Sequence, residues 1–367
     1  MNIGMVCHNY PPARFEGGIA HYCRLLVHAL ADRGNRVIVF TCSDFTLSEN
    51  SQGGKSVDVI RLPGPWNHQT VFAIDRIAAK KALDVLVLQY SAVSYSASFR
   101  AAWSMTRSIC KKATAFHSLW GSAPDKLLAA MLLIGNHPII ATNSEVMHLL
   151  EKYAPTVLKK TFWIPIGSNI RPVEEKKSPT GDGPPLIVYF GMLYPGKGLD
   201  KILDVLTELK SRGRIFRFLF VGGGMLEHES YEAQFKDRIA DRKLADIAGH
   251  TGLIPEEEAS RLLQESRFVF LPFDAGLSDR RGSFMAAIAH GKAVLTSPPC
   301  VEMPHIQNGV LAIWPNRESA TSYADLAERL LDDEAFNRRL GRGAMALYDQ
   351  FDWPVMAEAY ELALSVE

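Results

Sequence analysis

The sequence lacks the features that mark a disulfide framework, a metal centre or a membrane-spanning protein. Its five cysteines, Cys7, Cys23, Cys42, Cys110 and Cys300, are odd in number and widely separated, and no two form a C-x-x-C pair. That spacing excludes a disulfide scaffold and a zinc site, and makes a reducing, cytoplasmic setting the expectation. No apolar run approaches the roughly 20 residues of a membrane span, and no basic segment with an apolar core opens the chain. Membrane contact, where there is any, is therefore expected to be peripheral. Low-complexity, collagen-like and coiled-coil tracts are absent, and the chain is 47% hydrophobic and 22% charged, as a globular protein is. The formal net charge is +0, and no nucleic-acid partner is expected.

The 367 residues exceed what one hydrophobic core usually organises and suit two α/β domains. Apolar runs near Ile3–Cys7, Val37–Thr41, Val57–Leu62, Val85–Gln89, Thr114–His117 and Ile139–Asn143 alternate with helical stretches such as Ile19–Arg33. This is the rhythm of a βαβ series with a parallel sheet. It restarts at Leu186–Gly191 and continues through Arg217–Gly222, Ile247–Gly249, Phe268–Leu271 and Ala293–Ser297. Residues 171–185, polar and rich in proline and glycine, read as a linker between two Rossmann-like domains. The segment Ala344–Leu364, with Phe351, Trp353 and Pro354, either closes the second domain or crosses back to the first. Charge is uneven: residues 1–170 carry 17 Lys and Arg against 10 Asp and Glu. A basic first half fits an anionic partner, and equally scattered solvated charge.

In open parallel sheets ligands bind beyond the carboxyl ends of the strands, so residues just after each apolar run matter most. Gly17-Gly18, at the head of the first helix, lets backbone amides approach a phosphate, or forms a tight turn. His117 ends a strand and is placed to donate to a sugar hydroxyl, or to cap a loop. Lys197, six residues beyond the strand-ending Gly191, can meet a diphosphate as a mobile charge. Arg280-Arg281-Gly282-Ser283 precede an apolar helix and combine fixed positive charge, free amides and the helix dipole, the most specific anion signal in the chain. Gly252, Leu253 and Ile254 form a loop whose exposed backbone could pair with a base edge.

Taken in order, Tyr10-Pro-Pro with Gly17-Gly18-Ile19, His117, Ile164-Pro-Ile-Gly167, Phe190-Gly191 through Lys197-Gly198, Val221-Gly-Gly-Gly224, Gly252-Leu-Ile and Ala286-Ala-Ile-Ala-His-Gly291 resemble the retaining glycosyltransferases of family 4 over nearly the whole chain. The resemblance implies an α/β GT-B fold: two facing Rossmann-like domains with parallel sheets and a C-terminal helix crossing back to the first. It implies an acceptor-binding domain of residues 1–170 with helix 347–367, and a nucleotide-sugar-binding domain of residues 186–346. It further implies metal-independent transfer of a sugar from a nucleoside diphosphate sugar to a glycan or lipid-linked acceptor, with retention and with the leaving phosphate acting as base. No cofactor is implied, and the absence of a D-x-D motif agrees. In this reading Lys197 and the amides from Arg281 to Ser283 hold the diphosphate, with Gly17 and Gly18 against it. His117 meets the donor sugar and Gly252–Ile254 lie near the base.

The sequence departs from the family at an arginine and at two glutamates of an E-x7-E motif. Met192 stands where an arginine is expected, and Ser278 and Ala286 stand where the glutamates are. Asp279, Arg280 and Arg281 enter the same stretch, so Arg281 is expected to supply the second cation and Asp279 to accept a hydroxyl. The catalytic assignment is then His117, Lys197 and Arg281. The alternative is a catalytically silent nucleotide-sugar-binding partner subunit. A second expectation is a helix bearing Arg100, Arg107, Lys111 and Lys112 beside Trp103, Met105 and Ile109, either lying on an anionic membrane at its inner face or packed with solvated cations.

Overall fold

The computed structural model describes residues 1–13, 17–43, 57–92, 94–106, 110–119, 123–135, 138–174, 183–224 and 229–366. It divides into two compact units, residues 1–169 with 351–367, and residues 170–350. In unit 1 the strands β1 (Asn2–Val6), β2 (Arg36–Ser43), β3 (Val57–Pro63), β4 (Val85–Tyr90), β5 (Lys111–Phe116), β6 (Ile139–Ala141) and β7 (Thr161–Trp163) form one sheet. Its order is β3-β2-β1-β4-β5-β6-β7, and every pairing is parallel. Helices α1 (Gly18–Asp32), α2 (His68–Lys80), α3 (Ala97–Met105), α4 (Ala123–Gly135) and α5 (Ser144–Tyr153) connect the strands. A parallel sheet covered on both faces needs near-continuous apolar runs, and β4 is buried at every residue.

Unit 2 repeats the plan with β8 (Leu186–Phe190), β9 (Arg217–Val221), β10 (Ala248–His250), β11 (Phe268–Leu271), β12 (Val294–Thr296) and β13 (Ala312–Ile313). The order is β10-β9-β8-β11-β12-β13, again all parallel. Its helices are α6 (Leu199–Ser211), α7 (Glu229–Asp241), α8 (Glu256–Glu265), α9 (Gly282–Ala289), α10 (Ala320–Asp332) and α11 (Glu334–Tyr348). Strand order reverses between β1 and β4 in unit 1 and between β8 and β11 in unit 2. The loops leaving those strands therefore diverge, and each sheet opens a crevice there. Of the segment read as a linker, Glu175–Asp182 lie outside the described residues. Before them, Val173 donates its N–H to Ser260 Oγ (3.0 Å) and accepts from Gln264 Nε2 (2.8 Å), which fastens it to α8.

The chain leaves unit 2 after α11, and the last helix, α12 (Trp353–Ser365), packs on α1 of unit 1. Asp352 caps it, Pro354 occupies its first turn, and Trp353 donates from Nε1 to Ser168 O at 2.7 Å. The hydroxyls of Tyr22 and Tyr360 share a buried 2.8 Å hydrogen bond, and Arg33 holds Glu361. Replacing Tyr360 by phenylalanine leaves the Tyr22 hydroxyl buried without this partner, a cost of about 1–2 kcal/mol. Chemical denaturation of the variant should show that loss in the unfolding of unit 1.

The expected basic surface helix is not formed. Helix α3 ends at Met105, and Lys111 and Lys112 open β5. Arg100 is only 6% exposed and donates to Ala92 O (3.2 Å), while Trp103 is fully buried. Lys112 donates to Thr106 Oγ1 (2.8 Å) and lies 3.7 Å from Asp75. These cations satisfy the interior instead of facing a lipid surface, and of the apolar residues expected with them Met105 is exposed. Arg107 and Ile109 lie outside the described residues.

Candidate functional site

Polar side chains cap most described helix starts: Asn67 on α2, Ser96 on α3, Asn143 on α5, Ser319 on α10, Asp333 on α11 and Asp352 on α12. Helices α1 and α9 differ. Among the described residues neither has a side-chain cap at its N-cap, Gly17 or Arg281, and neither carries an acid in its first turn. Their first-turn amides and positive dipole ends are thus left for an anion. Both helices follow a switch-point strand, α1 following β1 and α9 following β11.

In unit 2 the loop after β8 is built from glycines because the backbones are crowded. Gly191 donates its N–H to Val221 O and Leu193 donates to Gly223 O, each at 2.9 Å. A methyl group on Gly222 would run into the Gly191 carbonyl. Gly198 has φ +72°, and its Cα faces the Pro272 carbonyl oxygen with no room for a side chain. Asp274 joins this loop to the one after β11. Its carboxylate accepts the Gly198 N–H (3.3 Å), and its own N–H reaches Gly196 O (3.4 Å).

This clasp brings Lys197 and Arg281 onto the same aromatic ring. Lys197 Nζ lies 4.7 Å from the Tyr194 ring centroid and 6.0 Å from that of Phe273, and Arg281 Cζ lies 5.0 Å from Phe273. Phe273 is fully buried, so its ring is a fixed platform for both cations. Arg281 Nε is buried with no hydrogen-bond partner among the described residues. Ser283 stands 3.7 Å from where a Cβ on Gly191 would be, which places the start of α9 against the β8 loop. Arg280 points to the exposed side, its N–H directed at Ser278 Oγ (3.4 Å). Ser278 and Ala286 are both fully buried, and neither brings a carboxylate to the site.

Asp279 corrects the expectation made for it. It is fully buried, and its carboxylate lies 3.5 Å from His305 Nε2, inside the loop, with no exposed oxygen to offer a hydroxyl. The loop of residues 252–254 lies beside the β9 loop. Gly252 bridges Gly222, Gly222 donates to Thr251 Oγ1 (3.3 Å), and a Cβ on Gly223 would meet Leu253 Cγ at 2.7 Å. Leu253 is 74% exposed beside the partly buried Ile254, leaving an apolar face at the strand ends. Glu232 accepts the Gly224 N–H at 2.6 Å, which holds its carboxyl below the usual range.

In unit 1, no described residue lies within 4 Å of where a Cβ on Gly17 or Gly18 would stand. His117 follows β5, and both its ring nitrogens are engaged, Nε2 with Gln89 Oε1 (2.9 Å) and Nδ1 with Thr142 Oγ1 (3.3 Å). The Tyr22 ring meets it edge-on at 4.9 Å. Burial pushes the imidazole down to about 3, so it is neutral at physiological pH. The unfolded chain takes up a proton near pH 6.5 that the folded unit refuses until about pH 3, so this histidine's contribution to stability is present above pH 6.5 and lost as pH falls below it. Unfolding of unit 1 followed at pH 7, 6 and 5 should steepen by up to about 1.4 kcal/mol per pH unit relative to His117→Asn. The same slope in both proteins would contradict a buried neutral His117.

Sequence reasoning missed Phe273, Asp274 and His305. An aromatic beside a proline and a single exposed aspartate carry no motif, and only the folded loops give them partners. Among the described residues no three His, Cys, Asp or Glu side chains gather as metal ligands would.

Comparison with known proteins bears on the family and the fold. The family model "Glycosyl transferases group 1" matches residues 170–346, and "Glycosyltransferase Family 4" matches residues 16–157. No curated protein matches the sequence. Among solved structures, a sucrose-phosphate synthase from Thermosynechococcus elongatus superposes with TM-score 0.78 at 18% identity, covering 98% of this chain and 97% of that one. The Anabaena protein HepE, in complex with UDP and glucose, gives TM-score 0.77 at 14% identity over 100% and 99% of the two chains. WaaG, a glycosyltransferase involved in lipopolysaccharide biosynthesis, gives 0.69 at 14% over 99% and 100%. With consecutive family matches over its two halves and the GT-B fold throughout, the chain belongs to the group 1, family 4 glycosyltransferases.

Proposed function

We propose that this glycosyltransferase moves a sugar from a nucleoside diphosphate sugar to a glycan or lipid-linked acceptor, with retention of configuration and without a metal ion. The observation that carries this reading is the pairing of Lys197 and Arg281 on Phe273, beside the uncapped start of α9. As the glycosidic bond to the donor breaks, negative charge grows on the diphosphate. Two fixed cations and a helix N-terminus stabilise that charge more than they stabilise the ground state. The leaving phosphate takes the acceptor proton, so no protein carboxylate is required and the absence of the two glutamates is tolerated. Gly17 and Gly18 lie against donor phosphate or sugar, His117 stands beside the sugar as a neutral imidazole, and Gly252–Ile254 bracket the base. HepE has been captured with UDP-glucose, which makes a uridine nucleotide the first donor to try.

The test is a panel of nucleotide sugars offered with glycan and lipid-linked acceptors in the presence of EDTA. Release of nucleoside diphosphate, with an NMR-assigned product that keeps the donor's anomeric configuration, is the expected result. An inverted product would overturn the retaining mechanism. Binding of a donor without release across the panel would favour a silent partner subunit, the reading that the buried Ser278 and Ala286 motivate.

A further inference from the structure

Unit 2 has a second place built for an anion, which shares no residue with the Lys197 and Arg281 cluster. At the outer edge of its sheet, beyond β13, a cleft of about 370 Å³ is lined by Trp314, Pro315 and Asn316 and by Arg329, Phe336 and Arg339 from α10 and α11. Arg329 Cζ lies 3.8 Å and Arg339 Cζ 5.0 Å from the centroid of the Phe336 ring. Phe336 is 5% exposed, whereas both arginines reach solvent. One fixed ring thus holds two like-charged guanidinium groups in the same cleft.

Among the described residues no carboxylate pairs with either arginine, although these helices are rich in carboxylates. Asp325 and Glu328 are held by Arg212, Asp332 by Arg214, and Glu334 by Arg338. Asp333 accepts the Phe336 N–H at 2.9 Å as the cap of α11. The helix dipole accounts for Arg329, in the last turn of α10, but not for Arg339, in the second turn of α11 and away from a helix C-terminus. Stacking a guanidinium on an aromatic ring leaves its in-plane N–H donors pointing outward, in the geometry that grips phosphoryl oxygens. Across the cleft, Asn308 bonds both backbone groups of Trp314, donating to its carbonyl (3.0 Å) and accepting its N–H (3.1 Å). That holds the Trp314 backbone in the same cleft lining as the two cations. The cleft is too large for a bare phosphate and has an aromatic wall suited to the C–H face of a sugar ring.

We propose that this cleft binds a phosphorylated sugar, its phosphoryl dianion between Arg329 and Arg339 and its ring against Trp314. The site is separate from the donor diphosphate and does not depend on the donor reading. Calorimetric titration of the full chain tests it, with glucose 6-phosphate, glucose 1-phosphate, inorganic phosphate and glucose as probes. The expected result is saturable 1:1 binding of a sugar phosphate, weaker binding of inorganic phosphate and none of glucose. Arg329→Gln and Arg339→Gln should each weaken binding about tenfold or more. Arg→Lys at either position should fall between, because charge remains without the fork. Lys197→Ala should leave the affinity unchanged. Absence of saturation by about 10 mM, or undiminished binding in the double Gln variant, would overturn the site. Equal affinity for inorganic phosphate would overturn the sugar assignment, and loss of binding in Lys197→Ala would overturn its separateness.

Discussion

Sugar transfer by Lys197→Ala or Arg281→Ala should fall about ten- to a hundred-fold in kcat/KM, since a charged hydrogen bond contributes roughly 1.5–3 kcal/mol and about 1.4 kcal/mol is a factor of ten. Part of the loss should lie in kcat, because the diphosphate is more negative in the transition state than in the bound donor. The two losses should not add. Both cations rest on the Phe273 ring, so removing one changes the field and the packing felt by the other. Arg281→Lys should recover less than a conservative exchange usually does, because the ammonium loses both the stack and the fork. Steady-state kinetics on the three single variants and the double variant would measure these terms. Arg280→Ala, on the exposed side of the loop, should change kcat/KM by only a few-fold, and this contrast separates Arg281 from a general effect of positive charge.

Gly198→Ala should be among the most damaging small changes available in unit 2. The residue has φ +72°, and its Cα sits against the Pro272 carbonyl, so a methyl group there meets both backbone strain and a clash with rigid backbone. Each of these costs about 1–3 kcal/mol, and relief requires the β8 loop to move away from the β11 loop. That movement breaks the Asp274 clasp and takes Lys197 away from Phe273. The variant should therefore lose about 3 kcal/mol of stability in the unfolding of unit 2 and, where it still folds, bind nucleoside diphosphate as poorly as Lys197→Ala does. Gly196→Ala is the control. Its φ of +90° carries strain, but no described residue stands within 4 Å of its Cβ position, so its cost should be smaller.

The architecture was largely legible because parallel strands covered on both faces leave unbroken apolar runs in the sequence. Val85–Gln89 and Phe268–Leu271 coincide with β4 and β11 to within a residue. The edge strands β7 and β13, of 3 and 2 residues, did not stand out in the apolar rhythm. The basic stretch from Arg100 to Lys112 misled for a different reason. Spacing alone puts its cations on a helix face, and only tertiary packing shows that Arg100 and Lys112 bond interior carbonyls. The glycines and cations of the site were visible as strand-end residues. Their convergence was not, because Phe273 and Asp274 tie the loop that carries Arg281 to Lys197 and Gly198, each 76 positions away, and no local pattern records such contacts.

Asp279 was placed at a ligand hydroxyl by its neighbours in the sequence, yet it faces His305 from inside the loop. A carboxylate beside two arginines looks alike in sequence whether it turns outward or inward. His117 was correctly located at a strand end, but its engagement with Gln89 and Thr142 depends on the register of β4 and β5 and on the turn after β6, which the sequence does not print.

In the proposed mechanism two cations on one aromatic ring, and not a pair of glutamates, hold the donor diphosphate. Calorimetric titration of the wild-type chain and of the Lys197→Ala/Arg281→Ala double variant with UDP, GDP and ADP tests it most directly. Saturable binding of one of these nucleotides to the wild type is expected, with a loss of at least about a hundredfold in the double variant while its circular dichroism is unchanged. Equal affinity in the two proteins would contradict it.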